Sequence, residues 1–414
     1  MSSFPIENVR SQFPSLAIED DGRRRIYLDN PAGTQVPFTV ARAAAETLIG
    51  ANANLGGFFR TSAAAEEVVQ RAHEQMAVFL NAASFREIVI GQSMTMLTFH
   101  IAQSIGRTLQ RGDEIAVTRM DHDGNIGPWL MLAEDLGLHV RWIDFDRDRW
   151  TIEPDTFAKQ IGSKPKLVAL NYASNLTGSV NDAAALTQIA KAAGALVYVD
   201  AVQYAPHGVT DVAAIGCDFL ACSSYKFFGP HMGILWGRRA LLDELTAYKV
   251  RPATNELPWK FELGTPQIEQ LAAISATVDY YERLGALTGG PSTGRAAIES
   301  AFSACRRWEA GLADRLISGL ERLPGVRIAG ITDRARFAQR VPTISFTHEA
   351  LPASRVARRL AEENIFVWSG HNYALEIVRA LGIDEEEGVV RIGMAHYNTP
   401  EEIDETLEAL GRMF

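Results

Sequence analysis

Seven short apolar runs, separated by stretches of helical character, occupy residues 85–240 and constrain the fold of this 414-residue chain more than any other feature. Alanine- and leucine-rich stretches such as 183–193 lie between most of them. Strands that alternate with helices in this way predict an α/β fold with a mostly parallel seven-stranded sheet covered on both faces. Ligands bind such sheets beyond the carboxyl ends of the strands. The seven runs lie at 87–90, 114–118, 138–143, 166–170, 196–200, 219–222 and 233–236.

A second, smaller domain is predicted to follow the first. The stretch 285–294 is rich in Gly, Ser, Thr and Pro and breaks the helical periodicity, so it marks the boundary. We expect a large domain over 21–288, a small α+β domain over 289–414, and an N-terminal segment, 1–20, that packs with the small domain. The elements predicted in the small domain are helices at 295–323 and 353–362 and strands at 326–328, 343–346 and 388–393.

Charge and composition exclude several classes of partner and site. The net charge is −10, from 40 basic and 50 acidic residues, and no block of Lys and Arg is present, so nucleic acid and anionic membranes are not expected partners. Three cysteines without a Cys-x-x-Cys pair argue against a disulfide framework or a zinc cluster, and no metal is expected. We find no signal peptide and no apolar stretch of about 20 residues, which predicts a cytoplasmic protein.

Lys226 carries the clearest chemical signal. It lies in the run Ser-Ser-Tyr-Lys-Phe-Phe-Gly-Pro, 223–230, downstream of Asp200, which ends the apolar run 196–200. A lysine amine can condense with the aldehyde of pyridoxal phosphate, and a carboxylate can keep the pyridine nitrogen protonated so that the ring accepts electrons. A lone lysine near a glycine is more often a solvated loop residue, so the cofactor hypothesis depends on what accompanies it.

A phosphate site is indicated at residues 91–95, Gly-Gln-Ser-Met-Thr, which follow a strand and open a predicted helix at 96–109. Backbone N–H groups at a helix N-terminus, together with the Thr95 hydroxyl, form a natural phosphate cradle. The alternative is a simple helix cap by Ser93 or Thr95.

Three further residues fit the same cofactor. Gln203 follows Asp200 closely enough to reach the phenolic oxygen of the ring, and Asn175 lies in the loop after the strand 166–170. Arg391 ends a predicted strand of the small domain, where its guanidinium can bind an amino-acid carboxylate in bidentate fashion. A strand-end arginine is more often a surface residue, so this assignment depends on the others.

With these residues in place, the chain resembles the cysteine desulfurase-like branch of the aminotransferase class V enzymes, which use pyridoxal phosphate. The resemblance runs nearly from end to end, and the order and spacing of the motifs make it specific. The motifs are Tyr-Leu-Asp-Asn-Pro-Ala-Gly at 27–33, Asp-Ala-Val-Gln at 200–203, Ser-Ser-Tyr-Lys at 223–226, Phe-Glu-Leu-Gly-Thr-Pro at 261–266, and Arg391 with Tyr-Asn-Thr at 397–399.

The resemblance implies a role for each matching residue. Lys226 would be the cofactor-bearing lysine and the proton shuttle, and Asp200 would pair with the pyridinium. The other residues implied to contact the cofactor are Gln203, Met94, Thr95, Ser223, Tyr225 and Asn175. The residues implied to line the substrate site are Arg391, Asn175, Ala32, Gly33 and His371. Thr265 would reach the phosphate of the neighbouring subunit, which implies a homodimer with shared active sites.

The sequence departs from the family pattern at two places beyond Tyr225, which stands where desulfurases have a histidine. Where a histidine usually stacks on the cofactor ring, the register puts Asp123, and a slip of one residue would bring in His122 instead. Where desulfurases carry a cysteine on a mobile loop, the run 368–373 carries Tyr373. A phenol cannot form a persulfide, and Tyr373 is either an aromatic wall of the pocket or a proton donor.

The expected function is that of an enzyme which joins an amino acid to the cofactor and removes its α-proton with Lys226. The loss of the cysteine favours lyase chemistry, that is β-elimination without a persulfide. The alternatives are transamination, epimerisation, cysteine desulfuration, and a non-catalytic regulatory protein on the same fold.

Overall fold

A computed structural model describes residues 4–414, so the first three residues of the predicted N-terminal segment lie outside the described residues. The large sheet has seven strands, and its ends differ from the predicted ones by one residue at most. The strands are β1 (Ile88–Gly91), β2 (Glu114–Thr118), β3 (His139–Ile143), β4 (Pro165–Asn171), β5 (Leu196–Asp200), β6 (Phe219–Ser223) and β7 (Gly233–Gly237). The predicted α/β fold with a mostly parallel sheet is confirmed.

The order of the strands across the sheet is β1-β7-β6-β5-β4-β2-β3. Only β7 runs antiparallel to its neighbours, β1 and β6, so the other six strands point the same way. Their carboxyl ends therefore meet at one edge. This edge collects the residues that end or follow β1, β2, β4, β5 and β6.

The strands are apolar because both faces of the sheet are covered. In β4, Val168 and Leu170 pack into the core on one face, and Leu167 and Ala169 pack into the core on the other. The helices that surround the sheet are Phe38–Gly50, Arg60–Leu80, Met94–Gly106, Gly127–Leu136, Pro154–Gln160, Ala183–Ala192, Val212–Ile215, Arg239–Glu244 and Ile268–Leu287.

The C-terminal part forms a four-stranded antiparallel sheet with helices on it. Its strands, in spatial order, are β8 (Val326–Ala329), β9 (Thr343–His348), β11 (Val389–Gly393) and β10 (Trp368–Gly370). Its helices are Gly294–Leu320, Ala353–Glu362, Leu375–Ala380 and Pro400–Gly411. The predicted helix 353–362 is reproduced, and the predicted helix 295–323 ends three residues early.

The helix Gly294–Leu320 belongs to both cores. Its first half contributes Phe302 to the core of the large sheet, and its second half contributes Leu316 to the core of the small one. The N-terminal residues also contact the C-terminal part, because Phe4 stacks on Trp308 and Arg10 forms an ion pair with Glu402. The division into domains at 288/289 stays a prediction.

Two short strand pairs complete the fold: Glu19–Asp20 with Arg23–Arg24, and Ile26–Tyr27 with Ile365–Phe366. The second pair ties the start of the large domain to the small one. Over residues 4–414, none of the helices combines the length and the apolar composition that crossing a bilayer requires.

Candidate active site

Lys226 lies at the carboxyl edge of the large sheet, in the single 3-10 turn Ser224–Lys226 that directly follows β6. Its ammonium donates to the carbonyl oxygens of Pro31 and Ala32, the latter at 3.0 Å. Both carbonyls belong to the 27–33 motif. The loop that carries this motif therefore forms a wall over the lysine.

The amine of Lys226 is about half unprotonated near pH 7. Burial is the main cause, and the positive charge of Arg391 adds to it. The carboxylates of Asp29 and Asp200 oppose these effects, and the resulting pKa falls from 10.5 to about 7. A lysine with such a pKa can act as a nucleophile and as a proton acceptor.

Asp200 ends β5 and is buried at the same edge. Burial raises its pKa to about 6, while the N–H of Val202, 2.8 Å from Oδ1, and the charge of Lys226 lower it. Gln203 is buried beside it and donates from Nε2 to the hydroxyl of Thr343 at 3.0 Å. Because Thr343 begins β9, this bond joins the site to the small sheet.

Asp121 is a buried acid that the sequence reasoning did not single out. It is fully buried, and it accepts hydrogen bonds from Thr118 and, at 2.8 Å, from Asn125. Burial and the nearby negative charge of Asp200 hold its pKa well above the ordinary value. Its position just beyond the carboxyl end of β2 was the available signal.

The helix N-terminus at 91–95 lies at the same edge, but it begins at Met94, two residues earlier than predicted. Ser93 is the cap, since its hydroxyl accepts from the N–H of Met96 at 3.2 Å. Thr95 is therefore free of a capping role and exposed, whereas Met94 is buried. A Cβ on Gly233 would lie 2.2 Å from the carbonyl carbon of Ser93, so this glycine lets the helix start against β7.

Arg391 and Asn175 bring the small sheet to the site. Arg391 is buried in the middle of β11, which corrects the prediction that it ends a strand. One of its terminal nitrogens donates to Asp29 at 3.3 Å, and the other donates to the carbonyl of Asn175 at 3.2 Å. The Nε of Arg391 and the Oδ1 of Asn175 are buried without a partner. Buried polar atoms of this kind call for a ligand or ordered water.

His122 and Asp123 differ in their exposure and in the charged groups around them. Burial, followed by the charges of Lys226 and Arg391, lowers the pKa of His122 to about 3, so its ring is neutral. Asp123 is exposed, and the charged groups that affect it are Glu376, His371 and Arg379, outside this set. Which of the two residues faces the cofactor ring stays a prediction.

The tautomer of His122 follows from one contact. Its Nδ1 accepts a hydrogen bond from the N–H of Gly124 at 2.9 Å, so the proton of the neutral ring is on Nε2. His122 therefore offers a hydrogen-bond donor.

The loop after β10 closes over this region. The Tyr373 ring is 66% exposed and stacks on His122, with ring centroids 5.4 Å apart. Its carbonyl accepts from the N–H of Asp123 at 2.7 Å, and the carbonyl of Asn372 accepts from the side chain of Asn175 at 2.8 Å. The Nδ1 of His371 accepts from the N–H of Tyr373. The loop is thus fastened at two points.

Of the remaining predicted residues, Ser223 and Tyr225 lie near Lys226, whereas Thr265 does not. Ser223 is buried at the end of β6, and the ring of Tyr225 lies against Gly33 and stacks on His231 at 4.9 Å. Thr265 is exposed and is not brought to Lys226 within one chain. It lines a separate cavity of about 470 Å³ that also borders Gln92.

None of the three cysteines is accessible. Cys217, Cys222 and Cys305 are each 2% exposed or less, and burial raises the pKa of every one of their thiols. A buried thiol with a raised pKa is a poor nucleophile.

The arrangement fits pyridoxal phosphate. A lysine with a lowered pKa, an aspartate and a helix N-terminus with the Thr95 hydroxyl are the groups that its aldehyde, ring nitrogen and phosphate require. The unpaired Nε of Arg391 can additionally receive a carboxylate.

Known proteins resemble this chain along its whole length. A family model described as aminotransferase class-V matches residues 26–406. Aminotransferase-like protein FGM3 of Gibberella zeae is 34% identical, and a cysteine desulfurase of Serratia proteamaculans is 32% identical; each match covers 99% of this chain and 98% of the relative. The apo structure of cysteine desulfurase from Thermococcus onnurineus has a TM-score of 0.89 at 29% identity, over 100% of this chain and 98% of that one.

Proposed function

Because the chain belongs to the aminotransferase class-V family and is a pyridoxal-phosphate enzyme of the cysteine desulfurase-like kind, we propose that it eliminates a β-substituent from an amino acid without a protein persulfide. The observation that carries the proposal is that the chain has no accessible cysteine among its described residues. The sequence resemblance implies that Tyr373 takes the loop position of the desulfurase cysteine, and all three cysteines of the chain are buried.

The residues present can hold the cofactor and the substrate. Lys226 would bear the cofactor, Asp200 would pair with its ring nitrogen, and Ser223, Thr95 and the N-terminus of the helix Met94–Gly106 would bind its phosphate. When bound, pyridoxal phosphate withdraws electrons from the substrate Cα. The Nε of Arg391 would bind the substrate carboxylate, since it is buried next to Lys226 and has no other partner.

Proton movement would rest on Lys226. With a pKa of about 7, its Nζ can accept the proton of Cα near neutral pH and return it to a leaving group. His122 would lie against the cofactor ring and donate from Nε2, because its Nδ1 is occupied by Gly124. Tyr373 would stack on His122 and limit the access of water.

Cysteine desulfuration is the second candidate, because several relatives at 30–33% identity are named cysteine desulfurases or probable ones. The two reactions leave different three-carbon products. Elimination from cysteine gives sulfide, ammonia and pyruvate, whereas desulfuration leaves alanine and a persulfide on the enzyme.

Product identification after incubation with cysteine decides between them. We expect pyruvate in proportion to sulfide, and no persulfide on the peptides that contain the three cysteines. The triple variant Cys217→Ala, Cys222→Ala, Cys305→Ala should form the same products. Stoichiometric alanine, with sulfur mapped to one of these cysteines, would refute the proposal.

We further propose a homodimer in which Thr265 completes the phosphate site of the partner. The rim of the cavity that Thr265 lines exposes large apolar side chains, which a monomer in water would not favour. These are Leu55 and Tyr248, with exposed fractions of 38% and 46%, together with Met96 and Leu263.

Complementation tests whether the active sites are shared. Lys226→Ala and Thr265→Ala chains should each be impaired alone, but co-expression should restore about a quarter of the wild-type sites, because half of randomly mixed dimers carry one intact site. No recovery in mixed dimers, or a fully active monomer of 45.4 kDa, would contradict the shared site.

A further inference from the structure

His73 lies on the helix Arg60–Leu80, and its side chain is wholly buried. Its Nδ1 lies 2.7 Å from the carbonyl oxygen of Val69, and its Nε2 lies 2.7 Å from Oε1 of Glu262. A carbonyl and a carboxylate can only accept hydrogen bonds. A neutral imidazole has a single N–H, so both contacts are satisfied only when the ring carries two protons.

The partner carboxylate has a second bond. Oε1 of Glu262 also accepts from the backbone N–H of Ile90 at 2.7 Å. Ile90 belongs to β1, which is the edge strand of the large sheet, so its outward N–H has no neighbouring strand to bond to. Glu262 thus supplies the missing acceptor and joins the helix of His73 to the strand that leads into residues 91–95.

Glu262 also stands three positions before Thr265 in the motif 261–266. The preceding turn, Trp259–Phe261, packs against the histidine, with the Trp259 ring edge-on to His73 at 4.8 Å. The charged group that faces His73 from this segment is Glu262, and its own helix contributes only the carbonyl of Val69.

We propose that His73 is a positioning residue: as an imidazolium paired with Glu262, it holds the segment that carries Thr265 against the edge strand of the sheet. The consequence for cofactor binding rests on the proposed role of Thr265 in the partner's phosphate site. Glu262 anchors the segment beside the phosphate cradle of its own chain, and Thr265 extends from it.

The electrostatic balance agrees with this geometry. Burial lowers the pKa of His73, but the charge of Glu262 and the two hydrogen bonds outweigh burial, so the pKa lies above its ordinary value of 6.5. We call the ion pair of His73 and Glu262 the clamp. Because the folded-state pKa of His73 is raised, the clamp is fully formed below about pH 6.5 and is lost as the pH rises through the folded-state pKa. A permanent cation at position 73 would remove this dependence.

The test uses hydrogen exchange of the cofactor-free protein, which does not depend on turnover. In His73→Gln and Glu262→Gln, the backbone amides of residues 259–266 should exchange about ten-fold faster or more, since each change removes a buried charge-assisted hydrogen bond. His73→Arg should keep the protection of the wild type at low pH and, unlike the wild type, retain it at high pH.

His100→Gln is the matched control. His100 lines the cavity that Glu262 and Thr265 also line, but burial lowers its pKa and no carboxylate of the described residues is hydrogen-bonded to its ring. It should leave the exchange of 259–266 unchanged. An NMR titration of selectively labelled histidine should also show that His73 loses its second proton above pH 6.5, with its signal assigned by its absence from His73→Gln.

Two results would overturn the inference. One is a His73 ring that loses its second proton at or below pH 6.5, and the other is unchanged exchange in His73→Gln with a folded protein. The affinity for pyridoxal phosphate is measured on the same variants. Faster exchange with unchanged cofactor affinity would support the clamp and refute the role given to Thr265, so the two failures are distinguishable.

Discussion

The cofactor-free protein should titrate Lys226 near neutral pH. Burial and the charge of Arg391 bring its pKa to about 7. At pH 7 about half of the Lys226 amines are then unprotonated, against about one in 2,500 for a lysine with the ordinary value of about 10.4. The structure therefore predicts about a thousand-fold more free amine at Lys226 than at an exposed lysine.

Competitive acetylation measures this directly. The cofactor-free protein is labelled with a trace of acetic anhydride between pH 5 and pH 11, and the extent of labelling of each lysine peptide is read by mass spectrometry. Exposed Lys166 serves as the internal reference. We expect the labelling of Lys226 to be half-maximal near pH 7 and to level off above pH 8.

Two variants with opposite effects test the cause. Arg391→Gln removes a positive charge that lowers the pKa of Lys226, so the midpoint should move to higher pH. Asp29→Asn removes a carboxylate that raises this pKa, so the midpoint should move to lower pH. A wild-type midpoint near pH 10, or shifts of the same sign in both variants, would refute the electrostatic reasoning.

Three further substitutions are predicted. Asp200→Asn should keep some cofactor but lose about 100-fold or more in kcat, because an amide cannot hold the ring proton; activity within a few-fold would mean that another acid has this role. Gly233→Ala should destabilise the fold by about 1–3 kcal/mol in chemical denaturation, because the new Cβ would meet the backbone of Ser93. Gly50→Ala is the control: a Cβ at this position has free space, so the stability should change by about 1 kcal/mol at most. Tyr373→Phe should retain kcat within about three-fold, as its ring and not its hydroxyl contacts His122; a loss of 100-fold would indicate a proton donor.

The large sheet could be predicted from the sequence because its strands are covered on both faces. Runs such as 196–200 are continuous apolar segments that end in a polar residue, and β5 has these same ends. The helix that follows residues 91–93 begins at Met94, two residues before its predicted start at 96. The sequence pattern does not distinguish between Ser93 and Thr95 as the cap. The strand predicted at 388–393 agrees with β11 to within one residue, and Arg391 lies in its middle and not at its end.

Other parts of the site depend on contacts that no local pattern contains. The surroundings of His122 and Asp123 are set by the turn that begins at Asp123, whose N–H donates to the carbonyl of Tyr373. The ion pair of His73 and Glu262 joins residues 189 positions apart. In the sequence, His73 is an ordinary residue of a helix and Glu262 an ordinary acid of a loop, so only the folded chain reveals the pair.

The pKa values of the site show the same division. Sequence motifs identify Asp200 and Lys226, whose ordinary pKa values of 3.8 and 10.5 would leave both fully charged at pH 7 and unable to exchange protons. Burial disfavours both charges, so the folded chain raises one pKa to about 6 and lowers the other to about 7. Because these values lie near pH 7, proton transfer at Lys226 costs little free energy there. The motif supplies the chemical groups, but the covered edge of the sheet supplies their reactivity.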